Sequence, residues 1–147
     1  MNLKHEVMTS KKMITVETII NSDTEQVWEC WTHPDHITKW NFASEDWWCP
    51  RAQNDLRVGG KLTSRMEARD GSMGFDFTGT YTRIEPNKLL EYEIEDGRIV
   101  SVQFENRDNK TVLTETFEAE NTHPIEMQKA GWQSILDNFK KHVESLD

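Results

Sequence analysis

The sequence predicts an α+β domain in which a curved antiparallel sheet of roughly six to seven strands wraps around a long C-terminal helix. Three patterns lead to this prediction: alternating apolar residues between turn signals, two short Trp-containing helical segments after the first strand, and helical periodicity after Pro124. A meander followed by a single long helix buries both apolar faces when the sheet curls around the helix.

Met13 to Ile20 is rich in β-branched residues and predicts the first strand, with one apolar face. Ser22 followed by Glu25 has the spacing of a capping box, which predicts a helix start. That helix must end before Pro34, because proline disfavours α geometry in the residue that precedes it. Pro34 can then open a second short helix that reaches Trp40.

Residues 41–55 are predicted to be irregular, and a period of two begins near Lys61. Asp70-Gly71, Glu85-Pro86-Asn87 and Asp96-Gly97 mark turns between strands, while Gly79 indicates a bulge or a close approach. The last segment carries one helical apolar stripe, formed by Trp132, Ile135, Leu136, Phe139, Val143 and Leu146. Residues 1–11 are expected to be a loose tail before a single domain over residues 12–147.

Composition restricts the function. The 147 residues carry a formal net charge of −9, which argues against a nucleic-acid-binding face. No apolar run is long enough to cross a membrane, and the first residues lack a signal-peptide pattern, so we expect a cytoplasmic protein without membrane insertion. Six Trp, six Phe and two Tyr supply a large apolar area for one core. The sequence leaves a homodimer open.

Metal and cofactor sites are not expected from the sequence. Cys30, His33 and His36 could converge as ligands, but Pro34 interrupts the helix between the two histidines, and two cysteines without a CxxC motif make no zinc ribbon. The Asp55–Lys61 segment lacks the phosphate-binding loop pattern, and Gly59-Gly60 is interpreted as a turn that permits positive φ. We therefore expect no cofactor.

Five segments stand out in this order: Val27-Trp28-Glu29 through Trp40, Asp55 through Lys61, Gly79-Thr80-Tyr81, Ile84-Glu85-Pro86 and Gly131-Trp132-Gln133. Together they resemble the START-like (SRPBCC) superfamily with its helix-grip fold, in the branch similar to the activator of the heat-shock-chaperone ATPase. The resemblance implies a deep, largely apolar cavity between the sheet and the long helix. It does not select one function, because the superfamily includes ligand carriers, polyketide cyclases and co-chaperones.

The expected function is binding of a small hydrophobic or aromatic molecule in that cavity. A ligand of about twenty non-hydrogen atoms at roughly 0.3 kcal/mol per atom would bind with a Kd of tens of micromolar and quench Trp fluorescence. The residues expected to line the cavity are Trp40, Trp47, Trp48, Phe75, Phe77, Tyr92, Phe104, Phe117 and Trp132. The aromatic residues of the irregular segment either plug the open end of the sheet as core or form a lid over the cavity.

Two polar residues are candidates for orienting a ligand. Glu115 lies between Leu113 and Phe117 in strand alternation, so it faces inward if they do, and a buried carboxylate needs a partner or a proton. A reversed register with Thr114 and Thr116 inward is the alternative. Gln128 either contacts the ligand or caps the rim of the cavity.

Two other functions stay open. One is a cyclase or hydrolase that uses a single acid–base carboxylate in the same cavity, although no catalytic motif is recognised and we expect no enzyme. The other is a co-chaperone-like adaptor. We rank chaperone contact last, because the N-terminal domain that contributes to it in eukaryotic activators is not in this sequence.

Overall fold

The computed structural model describes residues 12–146, so the expected tail at residues 1–11 lies outside the described part. The described residues form an antiparallel sheet and three helices. The strands are β1 (Met13–Ile20), β2 (Trp47–Trp48), β3 (Ala52–Asn54), β4 (Lys61–Ala68), β5 (Gly74–Glu85), β6 (Leu89–Ile94), β7 (Ile99–Arg107) and β8 (Lys110–Glu118). The helices are α1 (Thr24–Thr32), α2 (Pro34–Trp40) and α3 (Ile125–Glu144). The predicted α+β helix-grip architecture is confirmed.

The sheet has the strand order β1-β8-β7-β6-β5-β4-β2, and β3 also pairs with β4. The long helix α3 packs along β1 and buries Leu136, Phe139 and Val143 completely. The predicted stripe extends one residue too far, because Leu146 lies beyond the end of α3 and is exposed. Within the described residues, no helix combines the length and the apolar character needed to cross a membrane.

The two short helices are divided at Pro34, as predicted. His33 ends α1 and caps α2, since its Nδ1 accepts a hydrogen bond from the Asp35 amide at 3.1 Å. The predicted cap of α1 is wrong by one residue: the N-cap is Asp23, whose Oδ1 accepts from the Gln26 amide at 2.8 Å. Both Ser22 and Asp23 are good capping types, so sequence spacing alone does not choose between them.

Residues 41–55 are not wholly irregular, because β2 and β3 lie within them. Trp47 pairs with Ala68, and Ala52 pairs with Ser64, so both short strands add to the β4 edge of the sheet. Strands of two and three residues show too few positions for an alternation to be recognised. They nevertheless fix the backbone that leads from α2 to β4.

The turn before β4 needs both of its glycines, each for its own reason. Gly59 has φ +84°, the left-handed conformation that the sequence analysis expected here. At Gly60 a Cβ would lie 2.1 Å from the Asp55 carbonyl oxygen. The Gly59 amide donates to the Tyr81 carbonyl at 2.9 Å, so this turn binds the backbone of β5.

We expect Gly60→Ala to lower the free energy of unfolding by about 2–3 kcal/mol, because the added methyl group meets backbone that cannot rotate away. Gly131→Ala is the matched control: a Cβ there has no neighbour within 4 Å, and alanine favours a helix over glycine by about 1 kcal/mol. Urea denaturation followed by circular dichroism measures both. Equal stability of the two variants would contradict the close approach at Gly60.

Candidate functional site

A cavity of about 230 Å³ lies between α2, α3 and the concave face of the sheet. Most of its lining is aromatic or aliphatic, with four neutral polar side chains (Asn41, Ser64, Tyr81 and Tyr92) and one carboxyl group. The lining residues are Trp31, Ile37, Trp40, Asn41, Leu62, Ser64, Met66, Phe75, Phe77, Tyr81, Tyr92, Glu115, Trp132 and Ile135. Small-molecule sites combine an apolar lining with a few polar groups in this way.

Aromatic contacts hold the walls of the cavity in place. On the helix side, Trp31 stacks on Trp40 with ring centroids 4.8 Å apart. On the sheet side, Phe77 makes edge contacts with Tyr92 at 6.5 Å and with Trp132 at 6.4 Å. Such pairs stabilise beyond the area that they bury, so the cavity is preorganised rather than formed by loose side chains.

Gly79 allows Tyr92 to lie close to β5. A Cβ at this position would be 2.7 Å from Tyr92 Cδ2, so the close approach predicted from the sequence is confirmed. The bulge lies elsewhere on the strand, between Tyr81 and Arg83. The absence of a side chain at Gly79 thus sets the position of one cavity wall.

Phe75 lies at the mouth of the cavity. Its side chain lines the cavity but is 49% exposed, whereas the opposite wall at Trp40 is 4% exposed. Trp47 packs behind Phe75 with ring centroids 6.0 Å apart. A ligand bound in the cavity would therefore remain in contact with water only at the end beside Phe75.

Glu115 faces the cavity from β8, because it alternates with the fully buried Leu113 and Phe117. This settles the register in favour of the inward orientation. The side chain is 5% exposed, and none of the described residues forms a hydrogen bond or ion pair with it. Burial raises the pKa of Glu115 to about 8, so the group is mostly protonated at neutral pH.

Two further buried polar groups face the cavity without a partner among the described residues. Ser64 is 1% exposed and Tyr92 is 5% exposed, and both line the cavity. Burial raises the pKa of Tyr92 well above its ordinary value, with smaller contributions from Glu115 and Tyr81. By contrast, the Tyr81 hydroxyl donates to Asn54 Oδ1 at 2.7 Å. No fully buried side-chain nitrogen or oxygen of the described residues lacks a hydrogen-bond partner, so the unpartnered oxygens of these groups are open to the cavity, where water or a polar ligand group can bind them.

Six of the residues chosen from the sequence meet in this cavity: Trp40, Phe75, Phe77, Tyr92, Glu115 and Trp132. The cavity is also lined by residues that were not predicted from the sequence, among them Trp31, Tyr81 and Ser64. The signal for Ser64 was present, because it alternates with Leu62 and Met66 on the inward face of β4. The signal for Trp31 was its helical spacing from Val27 and Trp28.

Four aromatic residues chosen from the sequence lie outside the cavity, each for a definite reason. Trp47 is separated from it by Phe75, and Trp48 lies 40% exposed with the Arg69 guanidinium 5.9 Å from its ring centroid. Phe104 packs on Trp28, with ring centroids 5.2 Å apart, and is part of the core. Phe117 is covered by Trp132, whose ring stacks on it at 3.8 Å.

Gln128 is also outside this cavity. Its amide group donates to the Glu120 and His123 carbonyls at 3.1 and 2.8 Å and accepts from the Glu120 amide at 2.9 Å. It therefore closes the loop before α3, and it lines a separate surface hollow that Trp132 divides from the cavity. Arg57 is exposed and pairs with Asp55, with Nε 2.9 Å from Oδ2.

A group of potential metal-ligating side chains lies where the three helices meet. Cys30, His36 and His142 each place one potential metal-ligating atom within 4.8 Å of the others. His36 Nδ1 and His142 Nε2 are 2.8 Å apart and share a hydrogen bond. The sequence indicated Cys30 and His36 together with His33, but His33 caps α2 instead. His142 could not be recognised as a third ligand from the sequence, because it lies 106 residues from His36.

Comparisons with known proteins agree on one family. The model of the family described as Activator of Hsp90 ATPase homolog 1-like protein matches residues 21–144. The solution NMR structure of an AHSA1-like protein from Aeromonas hydrophila is 47% identical with a TM-score of 0.86, covering 92% of this chain and 94% of that chain. Chr148 from Cytophaga hutchinsonii is also 47% identical, with a TM-score of 0.79 over 90% of this chain and 92% of that chain.

A more distant structure, CV1439 from Chromobacterium violaceum, shares the fold at 21% identity and a TM-score of 0.81, covering 90% of this chain and 98% of that chain. No curated protein matches this chain significantly.

Proposed function

Since the chain belongs to the family of Activator of Hsp90 ATPase homolog 1-like proteins, we propose that it binds a small aromatic or hydrophobic ligand in the cavity between the sheet and α3. The observation that carries the proposal is an aromatic cavity of about 230 Å³ that contains a buried carboxyl group without a partner among residues 12–146. The cytoplasmic location expected from the sequence is part of the same proposal.

The cavity volume limits the size of the ligand. An engineered cavity of about 150 Å³ holds benzene, so a cavity of about 230 Å³ takes about ten non-hydrogen atoms. The twenty-atom ligand expected from the sequence is therefore too large for the cavity as it stands. Ten atoms at about 0.5 kcal/mol each give about 5 kcal/mol, which corresponds to a Kd of about 0.2 mM.

The unpaired groups define the chemistry of the ligand. Protonated Glu115 can both donate and accept a hydrogen bond, and the hydroxyl groups of Ser64 and Tyr92 can do the same. A fully apolar ligand would leave all three unsatisfied once it displaced water from the cavity. We therefore propose a ligand that is aromatic over most of its surface and carries one hydrogen-bonding group.

We expect indole to bind about five- to tenfold more tightly than indene, which has the same shape but no N–H group, because a net hydrogen bond contributes about 1 kcal/mol. Binding is measured by NMR of ¹⁵N-labelled protein through the six Trp indole signals. Signals of Trp31, Trp40 and Trp132 should shift, whereas that of Trp48, outside the cavity, should not.

Two variants test this assignment. Ser64→Leu places an apolar side chain in the cavity and should abolish the shifts for both compounds. Glu115→Leu should reduce the difference between the two affinities, because it removes the carboxyl group while leaving the aromatic walls and the hydroxyl groups of Ser64 and Tyr92. Binding that Ser64→Leu leaves unchanged would place the ligand elsewhere, and a panel of two-ring compounds without any effect would refute the proposal.

Enzymatic turnover is the second candidate, favoured by one observation. A carboxyl group with its pKa raised to about 8 can act as a general acid near neutral pH. Native mass spectrometry of protein purified from its own cells can identify a co-purified molecule, which is then incubated with fresh protein. Recovery of the unchanged molecule supports a carrier, whereas conversion that is lost in Glu115→Gln supports an enzyme.

A further inference from the structure

We propose that Cys30, His36 and His142 form a binding site for a divalent late transition metal ion, with zinc as the ion that fits best. The site is distinct from the aromatic cavity and does not depend on the proposed ligand. It draws one residue from each helix: Cys30 from the last turn of α1, His36 from α2 and His142 from the last turns of α3.

The donor set favours such an ion. A thiolate and two imidazoles are borderline-to-soft ligands, which zinc accepts in tetrahedral geometry and which magnesium and calcium do not prefer. Three protein ligands leave the fourth position for a water molecule. Cys30 is 1% exposed, and the two histidines are partly exposed, so the ion would reach the thiol from the imidazole side.

The distances require only small side-chain movements. Zn–N bonds of about 2.0–2.1 Å and a Zn–S bond of about 2.3 Å place tetrahedral ligand atoms roughly 3.3–3.6 Å apart. The two imidazole nitrogens, now 2.8 Å apart, would have to separate by about 0.5 Å. All three ligand atoms lie within 4.8 Å of one another, so no pair would have to approach by more than about 1.3 Å.

The surroundings support ligation as well. Trp40 Nε1 donates to the Cys30 carbonyl at 3.0 Å, which fixes the end of α1 next to α2. Burial, together with the neighbouring His36 and Lys39, lowers the pKa of His142.

The test uses tag-free protein, freed of metal with a chelator and kept reduced, and titrated with Co²⁺ as a spectroscopic probe for zinc. We expect a thiolate-to-cobalt charge-transfer band in the near ultraviolet and visible bands typical of four-coordinate cobalt, saturating at one equivalent. Addition of Zn²⁺ should remove both sets of bands. Zinc should also raise the melting temperature of the protein.

Variants separate this site from other metal binding. Cys30→Ser should lose the charge-transfer band, and His142→Gln should weaken Co²⁺ binding by at least about tenfold. The matched controls are Cys49→Ser, which removes the other described thiol, and His33→Asn, which keeps a residue that can cap α2. Both controls should bind Co²⁺ like the unchanged protein. No charge-transfer band at tenfold excess, or a band retained in both Cys30→Ser and His142→Gln, would overturn the proposal.

Discussion

Glu115→Gln is expected to stabilise the protein by roughly 3 kcal/mol at pH 7, and by more at pH 9, although it replaces a residue in the core. The physical reason is the cost of ionising a buried carboxyl group. Burial raises its pKa from 4.5 to about 8, so the folded state holds this proton more tightly than the unfolded state does. As the pH rises above 4.5 the unfolded chain loses the proton first, and folding becomes less favourable until the pH passes about 8.

The stabilisation by Glu115→Gln must therefore increase as the pH rises. Below pH 4.5 both states are protonated, and glutamine, which has nearly the same size and no charge, should change the stability little. Glu93→Gln is the control, because it removes an exposed carboxylate from β6 and changes the net charge equally. Denaturation curves at pH 4, 7 and 9 give the free energy of unfolding of the unchanged protein, Glu115→Gln and Glu93→Gln. A constant difference across this range would show that Glu115 ionises normally.

This inward carboxyl group was foreseeable from the sequence, because strand alternation ties Glu115 to Leu113 and Phe117. What alternation could not provide was the choice of register, since Thr114 and Thr116 would also have been acceptable inside. The neighbouring strands decide it: Glu115 pairs with Val16 on β1 and Val102 on β7, both of which are buried. Side chains of paired residues point to the same face of a sheet, so the register of three strands fixes one orientation.

The aromatic residues show why a site is harder to predict than a fold. Trp48 and Phe117 belong to the residue type that lines such cavities, yet one lies on the surface and the other lies behind Trp132. Whether an aromatic side chain lines the cavity depends on whether another ring lies between it and the cavity. Tertiary packing decides this, and the periodicity of the sequence does not show it. His142 illustrates the same limit, because only the packing of α3 brings it to His36.

Removal of the Trp132 side chain should have the largest effect on ligand binding. Its ring separates the cavity from the surface hollow lined by Arg98, Glu120, His123, Met127, Gln128 and Gly131. We expect Trp132→Ala to lower the free energy of unfolding by about 3–4 kcal/mol, because it removes the stack on Phe117 and leaves a void. The same void should join the two spaces and admit longer ligands.

Ligand size then becomes the readout. The unchanged protein should bind two-ring compounds better than three-ring compounds of about fourteen non-hydrogen atoms, and Trp132→Ala should reverse this order. Calorimetry is the suitable measurement, since the substitution removes one of the fluorescent side chains. Trp132→Phe keeps an aromatic ring against Phe117 and should retain the original order at a smaller cost in stability. If Trp132→Ala instead loses compounds of both sizes while remaining folded, Trp132 provides a contact to the ligand and is not the wall that limits its length.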